Sequence, residues 1–164
     1  MMLTMLMLAT LQAYTAPPGL AAVGGLAGCW QVAGTVRGRD ATSVARGEWH
    51  LGGRYFQLHL HATGPRPYEA AITFGAGERP QAIGSVFSDT FGGLYEPSLG
   101  SGGTEADGFV QRYHFTDAAY VNRFVRSGDG WRWTITEQTG GKPDAGFADY
   151  RLRRAPCRKM RFEW

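Results

Sequence analysis

Between residues 43 and 62 the chain alternates apolar and polar side chains on both sides of a Gly52-Gly53 pair. A period of two marks a half-buried β-strand, and a two-residue glycine turn joins two such strands into a hairpin. With Leu51 set opposite Arg54, the pairing runs outward in register. One face then carries Ala45, Trp49, Phe56, Leu58 and Leu60, and the other carries Arg46, Glu48, His50, Tyr55, Gln57, His59 and His61. The apolar face must point into a core. A chain built this way needs further strands to cover that face.

Those strands are present in the sequence. From Gly28 onward, strand-like runs fall at 29–36, 43–51, 54–62, 67–75, 80–88, 94–99, 107–115, 119–126, 130–138 and 146–154, with no helical period sustained beyond a turn or two. The 94–99 run is the weakest, and Gly100–Ala106 reads as a flexible loop. Thr116-Asp117 and Ser127-Gly128-Asp129-Gly130 are further hairpin turns. Successive hairpins without a long crossover predict an all-β fold, a single antiparallel up-and-down β-barrel of about 8–10 strands. The 164 residues suit one domain, and the 24 glycines and the aromatic content of 13% suit a Gly-turned barrel.

The N-terminus has a different character. Residues 1–11 are apolar apart from Thr4 and Thr10, and no Lys or Arg precedes Arg37. Such a stretch is too short to span a bilayer, so no stable membrane insertion is expected, but it suits the apolar region of a signal peptide. Small residues at Ala13, Thr15, Ala16, Ala21 and Ala22 offer cleavage near 16 or 22. Residues 1–24 are therefore read as a signal peptide or disordered leader, and 25–164 as the barrel domain. The expected location is periplasmic or secreted.

Two cysteines bear on that reading. Cys29 opens the first strand and Cys157 follows the last, and in a barrel with an even number of antiparallel strands those ends meet. A Cys29–Cys157 disulfide is then open to an exported protein, and two buried free thiols are the alternative. Leu26-Ala27-Gly28-Cys29 is also similar to a lipobox. Against lipidation, the preceding Pro17–Gly25 stretch is not an apolar helix, and Trp30 follows with no tether.

Charge adds little. The net charge is +3 and nearly all the basic residues are arginine; a cluster lies at Arg151, Arg153, Arg154, Arg158, Lys159 and Arg161. No aromatic platform interleaves these arginines, so no nucleic-acid partner is expected.

Short motifs carry a family likeness. They are Leu26-Ala27-Gly28-Cys29-Trp30, Trp49 with Gly52-Gly53-Arg54-Tyr55, Phe87-Ser88-Asp89-Thr90-Phe91-Gly92, Asp129-Gly130-Trp131-Arg132-Trp133, and Phe147 with Tyr150-Arg151. Over residues 26–154 the chain resembles the calycin superfamily of lipocalin-like barrels, and within it bacterial calycin-like families without an assigned function. The lipocalin Thr-Asp-Tyr motif is absent. The resemblance implies that Trp30 packs at the closed barrel end under an arginine of the last strand, Arg151 or Arg153, as a structural cation–π contact.

Several constellations could carry chemistry. His59 and His61 share a strand face about 6.7 Å apart, with His50 and Glu48 on the neighbouring strand. Zinc could use that set, although this is the polar face that solvent should cover. Similarity to the haem-binding nitrobindins would require an axial histidine late in the chain, whereas the last one here is His114. No Gly-x-Ser-x-Gly elbow or phosphate loop occurs. Asp89, Arg123 and His114 could form an interior acid–base group of a barrel isomerase or hydrolase. The sequence itself assigns no catalytic residue, metal ligand or cofactor.

Ligand binding is the leading expectation. Ten strands enclose more space than the eight whose side chains just fill a barrel. Trp49, Phe56, Phe74, Phe87, Asp89, Arg123 and Trp133 are the candidate lining for a small hydrophobic or amphipathic molecule. Trp30, Arg151, Cys29 and Cys157 are the candidate structural residues. A ligand-free structural module would instead show a packed interior.

Overall fold

The computed structural model describes residues 15–92 and 98–160. A short helix, α1 (Pro18–Val23), and a single 3-10 turn at Gly24–Leu26 precede ten strands. The strands are β1 (Gly28–Val36), β2 (Arg39–His50), β3 (Tyr55–Ala62), β4 (Glu69–Ala76), β5 (Ala82–Asp89), β6 (Leu99–Glu105), β7 (Gly108–His114), β8 (Ala119–Ser127), β9 (Gly130–Gln138) and β10 (Ala145–Ala155). Each is antiparallel to the next, and β1 pairs with β10 to close the barrel. The expected up-and-down barrel is the observed one.

The β2–β3 hairpin has the register read from its alternation, with His50 opposite Tyr55, Trp49 opposite Phe56 and Ala45 opposite Leu60. Phe56, Leu58, Leu60 and Ala45 are buried in the core, and the histidines face outward. Leu51–Gly53 closes the hairpin as one tight turn.

The structure corrects the reading of residues 100–106. They form most of β6 rather than a loop, and of the weak 94–99 run, residues 94–97 lie outside the described residues. Glycine conceals this strand because it carries no apolar pattern, yet its placement follows from packing. A methyl group on Gly102 would collide with the carbonyl of Val110 on β7. One on Gly100 would overlap Ser85 and the Tyr113 ring. Close backbone approach thus takes the place of side-chain alternation here.

The second correction concerns the leader. Residues 1–14 lie outside the described residues, but Pro18–Leu26 is part of the fold and plugs one end of the barrel. Leu20, Val23 and Leu26 are fully buried in the core. Pro18 suits the first turn of so short a helix, where a missing N–H costs nothing. Polar bonds anchor the plug to the barrel: Gly19 N–H donates to Pro80 O (3.0 Å), Trp131 Nε1 to Gly25 O (3.2 Å) and Trp30 Nε1 to Leu26 O (2.7 Å). Gly28, at φ 105°, then turns the chain into β1 with a conformation closed to other residues.

At this closed end the guanidinium over the Trp30 ring belongs to Arg154, 4.4 Å from the ring centroid, and its Nη1 also donates to Ala27 O at 3.1 Å. Arg151 and Arg153 point outward from β10 instead, because inward positions there fall on Ala148, Tyr150 and Leu152. Strand alternation puts Arg154 on the inward parity. Cys29 and Cys157 are disulfide-bonded at the barrel seam, with Cα atoms 5.2 Å apart.

Removing residues 1–24 should cost far more stability than removing 1–16, since only the longer deletion takes away Leu20 and Val23. Each buried side chain of that size is worth about 1.5–3 kcal/mol, and urea unfolding of the two truncations reads the difference. Replacing both cysteines by alanine should lower stability by about 2–5 kcal/mol, as expected where a disulfide closes a loop with a sequence separation of 128.

Candidate functional site

Aromatic side chains divide the barrel interior. Phe109, Phe124, Trp133 and Tyr150 occupy directly paired positions on β7, β8, β9 and β10. Their rings contact in sequence, at centroid separations of 4.6 Å for Phe109–Phe124, 4.9 Å for Phe124–Trp133 and 5.2 Å for Trp133–Tyr150. Strands in a barrel are tilted, so a row of paired residues climbs along the barrel axis as it crosses them. This row starts in the closed-end core at Phe109 and ends in open space at Trp133 and Tyr150. Below it Phe56, Phe74 and Trp131 pack solidly; above it the barrel is hollow.

The hollow half is a cavity of about 1620 Å³ that opens at the end opposite α1. Trp133, Tyr150, Phe87, Tyr113, Leu60 and Ile135 form its inner wall. Trp133 is fixed by a hydrogen bond from its Nε1 to Asn122 Oδ1 (2.9 Å). Nearer the mouth stand Phe91, Phe115, Tyr120 and Phe147, with edge contacts of 5.4 Å between Phe115 and Tyr120 and 5.2 Å between Tyr120 and Phe147. Arg37 covers Phe147 at 4.9 Å and pairs with Glu137 at 3.1 Å, tying the β1–β2 turn to β9.

One polar cluster lies buried behind Tyr113 and a second lies in the wall itself. In the first, Ser85 Oγ donates to Gln111 Oε1 (2.7 Å), which commits its proton and leaves the Tyr113 phenol as donor to Ser85 Oγ (2.8 Å). Gln111 is fully buried and spends its amide on the carbonyls of Ile83 and Val110. Burial pushes the Tyr113 phenol up to about 12. In the second cluster, Tyr68 Oη donates to Asp89 Oδ2 at 3.2 Å, and Phe91 N–H donates to Asp89 Oδ1 at 3.0 Å. Burial first, and then the neighbouring carboxylate, push the Tyr68 phenol well above its usual value. Burial also raises Tyr150.

The structure brings together three of the residues singled out in the sequence: Phe87, Asp89 and Trp133 line the cavity. Phe56 and Phe74 lie in the closed-end core with no exposed surface. Trp49 sits edge-on to Phe56 at 5.2 Å, 38% exposed at the closed end. Arg123 points outward and forms a two-pronged pair with Glu105, at 2.8 and 3.0 Å. It shares no site with Asp89, and His114 is exposed at the end of β7, so the interior acid–base group suggested by Asp89, Arg123 and His114 does not assemble.

His50, His59 and His61 lie on the outer face of the β2–β3 hairpin. His61 Nδ1 is 2.9 Å from Glu69, and His59 bonds to Gln57 at 2.6 Å while burial lowers its pKa. Among the described residues no group of three metal-ligating side chains converges. The sequence reading missed Tyr68, Tyr113, Ile135 and Tyr150 in the wall. Ile135 follows Trp133 at the next inward position and Tyr150 is paired with Trp133, so both were recoverable once the β9–β10 register was known.

The three buried phenols have a measurable consequence. Their folded pKa values lie above the unfolded value near 10, so the native state holds protons that the unfolded chain releases. The stability this represents is fully present below about pH 10 and is lost as the pH rises through the folded values. Absorbance titration at 295 nm should therefore show Tyr68, Tyr113 and Tyr150 ionising after the exposed tyrosines, and Tyr113→Phe should remove one late-titrating phenol.

No protein-family model and no curated protein sequence matches the chain. Among solved structures, the crystal structure of Rv2717c from M. tuberculosis is similar, with a TM-score of 0.58 and 15% sequence identity. The match covers 86% of this chain and 99% of that one. At this identity the likeness is one of fold: both chains form the same kind of barrel.

Proposed function

We propose that the barrel is an exported carrier or sensor of a small hydrophobic or amphipathic molecule, built on a calycin-like plan. The observation that carries this reading is the cavity: a hollow of about 1620 Å³ above an aromatic floor, inside a barrel whose other half is solid. Ligand sites are typically concave, largely apolar and punctuated by a few placed polar groups. Phe87, Trp133 and Tyr150 supply the apolar surface, and the Tyr68–Asp89 pair supplies the placed polar groups.

Two further features support the plan and the compartment. Trp30 beneath Arg154 at the closed barrel end is the arrangement that the calycin resemblance implies, although with a different arginine from those expected. The Cys29–Cys157 disulfide favours an oxidising environment. No helix of the described residues is long and apolar enough to cross a membrane. If a signal peptide is removed, the plug requires cleavage near residue 16 rather than 22, because cleavage at 22 would discard Leu20.

The uncharged apolar fluorophore N-phenyl-1-naphthylamine tests the reading. It should bind with enhanced emission and take energy from Trp133. Ile135→Trp, which fills the cavity beside Trp133, should weaken it by at least about tenfold, a loss of about 1.4 kcal/mol. Probe binding that is absent, or indifferent to this filled cavity, would sink the carrier reading.

A further inference from the structure

The cavity wall contains a carboxylate with no cationic partner among the described residues. Asp89 lies on β5 one inward position beyond Phe87, which places it between the aromatic cup and the mouth. Its two oxygens accept from Tyr68 Oη and Phe91 N–H, both neutral donors, and no described residue forms an ion pair with it. Of the other acidic residues along the cavity, Glu137 pairs with Arg37, and Asp40 and Asp117 are exposed at the mouth.

Aromatic faces surround the same spot. Tyr68 and Phe91 lie against each other at 5.9 Å, tilted at 44°, and Phe87 meets Tyr113 edge-on at 5.8 Å just below. A carboxylate held among aromatic rings is the chemistry that recognises an ammonium group, through ion pairing and the negative faces of the rings. The remaining cations of the mouth, Arg39 at the start of β2 and Arg66 and Lys142 between strands, are exposed where solvent and salt screen them.

We infer that the cavity selects amphipathic cations, with an apolar body in the cup over Trp133 and Tyr150 and an amine or quaternary ammonium group against Asp89, ringed by Tyr68, Phe87 and Phe91. This assignment rests on the carrier reading and adds to it a ligand class and a charge. An anionic amphiphile would instead leave Asp89 facing a like charge and would have to hold its head at the screened rim.

Competition against bound N-phenyl-1-naphthylamine separates the cases. Dodecyltrimethylammonium and dodecanoate share a chain length and differ in the sign of the head, and both are used below their micellar concentrations. The ammonium should displace the probe at a concentration at least about tenfold lower. Asp89→Asn keeps an acceptor for Phe91 N–H and a similar shape, so it should retain the probe while erasing most of that difference. Tyr68→Phe frees Oδ2 and keeps the ring, and should preserve the preference.

Equal displacement by the two amphiphiles, a reversed order, or probe displacement by neither would overturn the cation assignment and leave the carrier reading standing. A preference that survives Asp89→Asn, or vanishes in Tyr68→Phe, would take the assignment away from the carboxylate. Failure of the probe itself to bind the wild-type barrel would overturn both.

Discussion

The structure depends on how one barrel end is sealed. Closing ten strands into a cylinder leaves an interior wider than a single layer of side chains can fill, so water would enter both ends unless something blocked one. Here the residues before β1 do so. Leu20, Val23 and Leu26 drop into the opening, and backbone carbonyls of the same segment accept from Trp30, Trp131 and Arg154. The disulfide joins the start of β1 to the residues after β10 at that end, so the seam and the plug are stabilised together. With one end sealed and dry, the apolar rings next to it can pack to core density.

What fills the sealed half also shapes the empty half. The Phe109–Phe124–Trp133–Tyr150 row crosses four tilted strands and rises as it goes, so the same ladder is core at one end and cavity floor at the other. A wall of bulky residues all the way round would have closed the cup. The neighbouring strands prevent this with small residues at inward positions: Gly34 stands beside Tyr150, Gly100 beside Tyr113, and Ala70 between Leu60 and Asp89. Cavity volume is set here by where the aromatic residues stop.

This division explains which parts of the molecule were legible in the sequence. The β2–β3 hairpin was readable in register because its alternation is clean and its turn leaves no freedom. The barrel followed from repetition of that pattern. Strand β6 was not legible, since its glycines are dictated by the Val110 carbonyl and the Tyr113 ring, which are distant in sequence. The plug was misread because a short apolar segment beside a leader looks like more leader until a cavity is there to receive it. The cavity lining was legible only in part for a related reason: inward parity distinguishes Phe87 from Arg123 only when the register is known, and no local pattern separates an inward Phe74 in the sealed half from an inward Phe87 in the open one.

The preference for arginine over lysine finds its explanation in the same architecture. Barrel ends expose the faces of large rings that the wall cannot cover, and a planar guanidinium can lie flat on a ring while its N–H groups still reach acceptors. Arg154 does this over Trp30 while bonding Ala27 O, Arg126 lies 4.6 Å over Trp131, and Arg37 covers Phe147 while holding Glu137. On the outer wall, Arg132 uses the same fork to grip Asp149 on the neighbouring β10, and Arg123 reaches across β7 to grip Glu105 at the end of β6. Lysine could supply the charge in each place but not the flat cover or the paired bonds. Positive charge is thereby committed to the ends and outside of the barrel, and the inner wall keeps a carboxylate, Asp89, whose hydrogen bonds among the described residues come from neutral groups. The basic composition and the acidic point inside the cavity are two results of one arrangement.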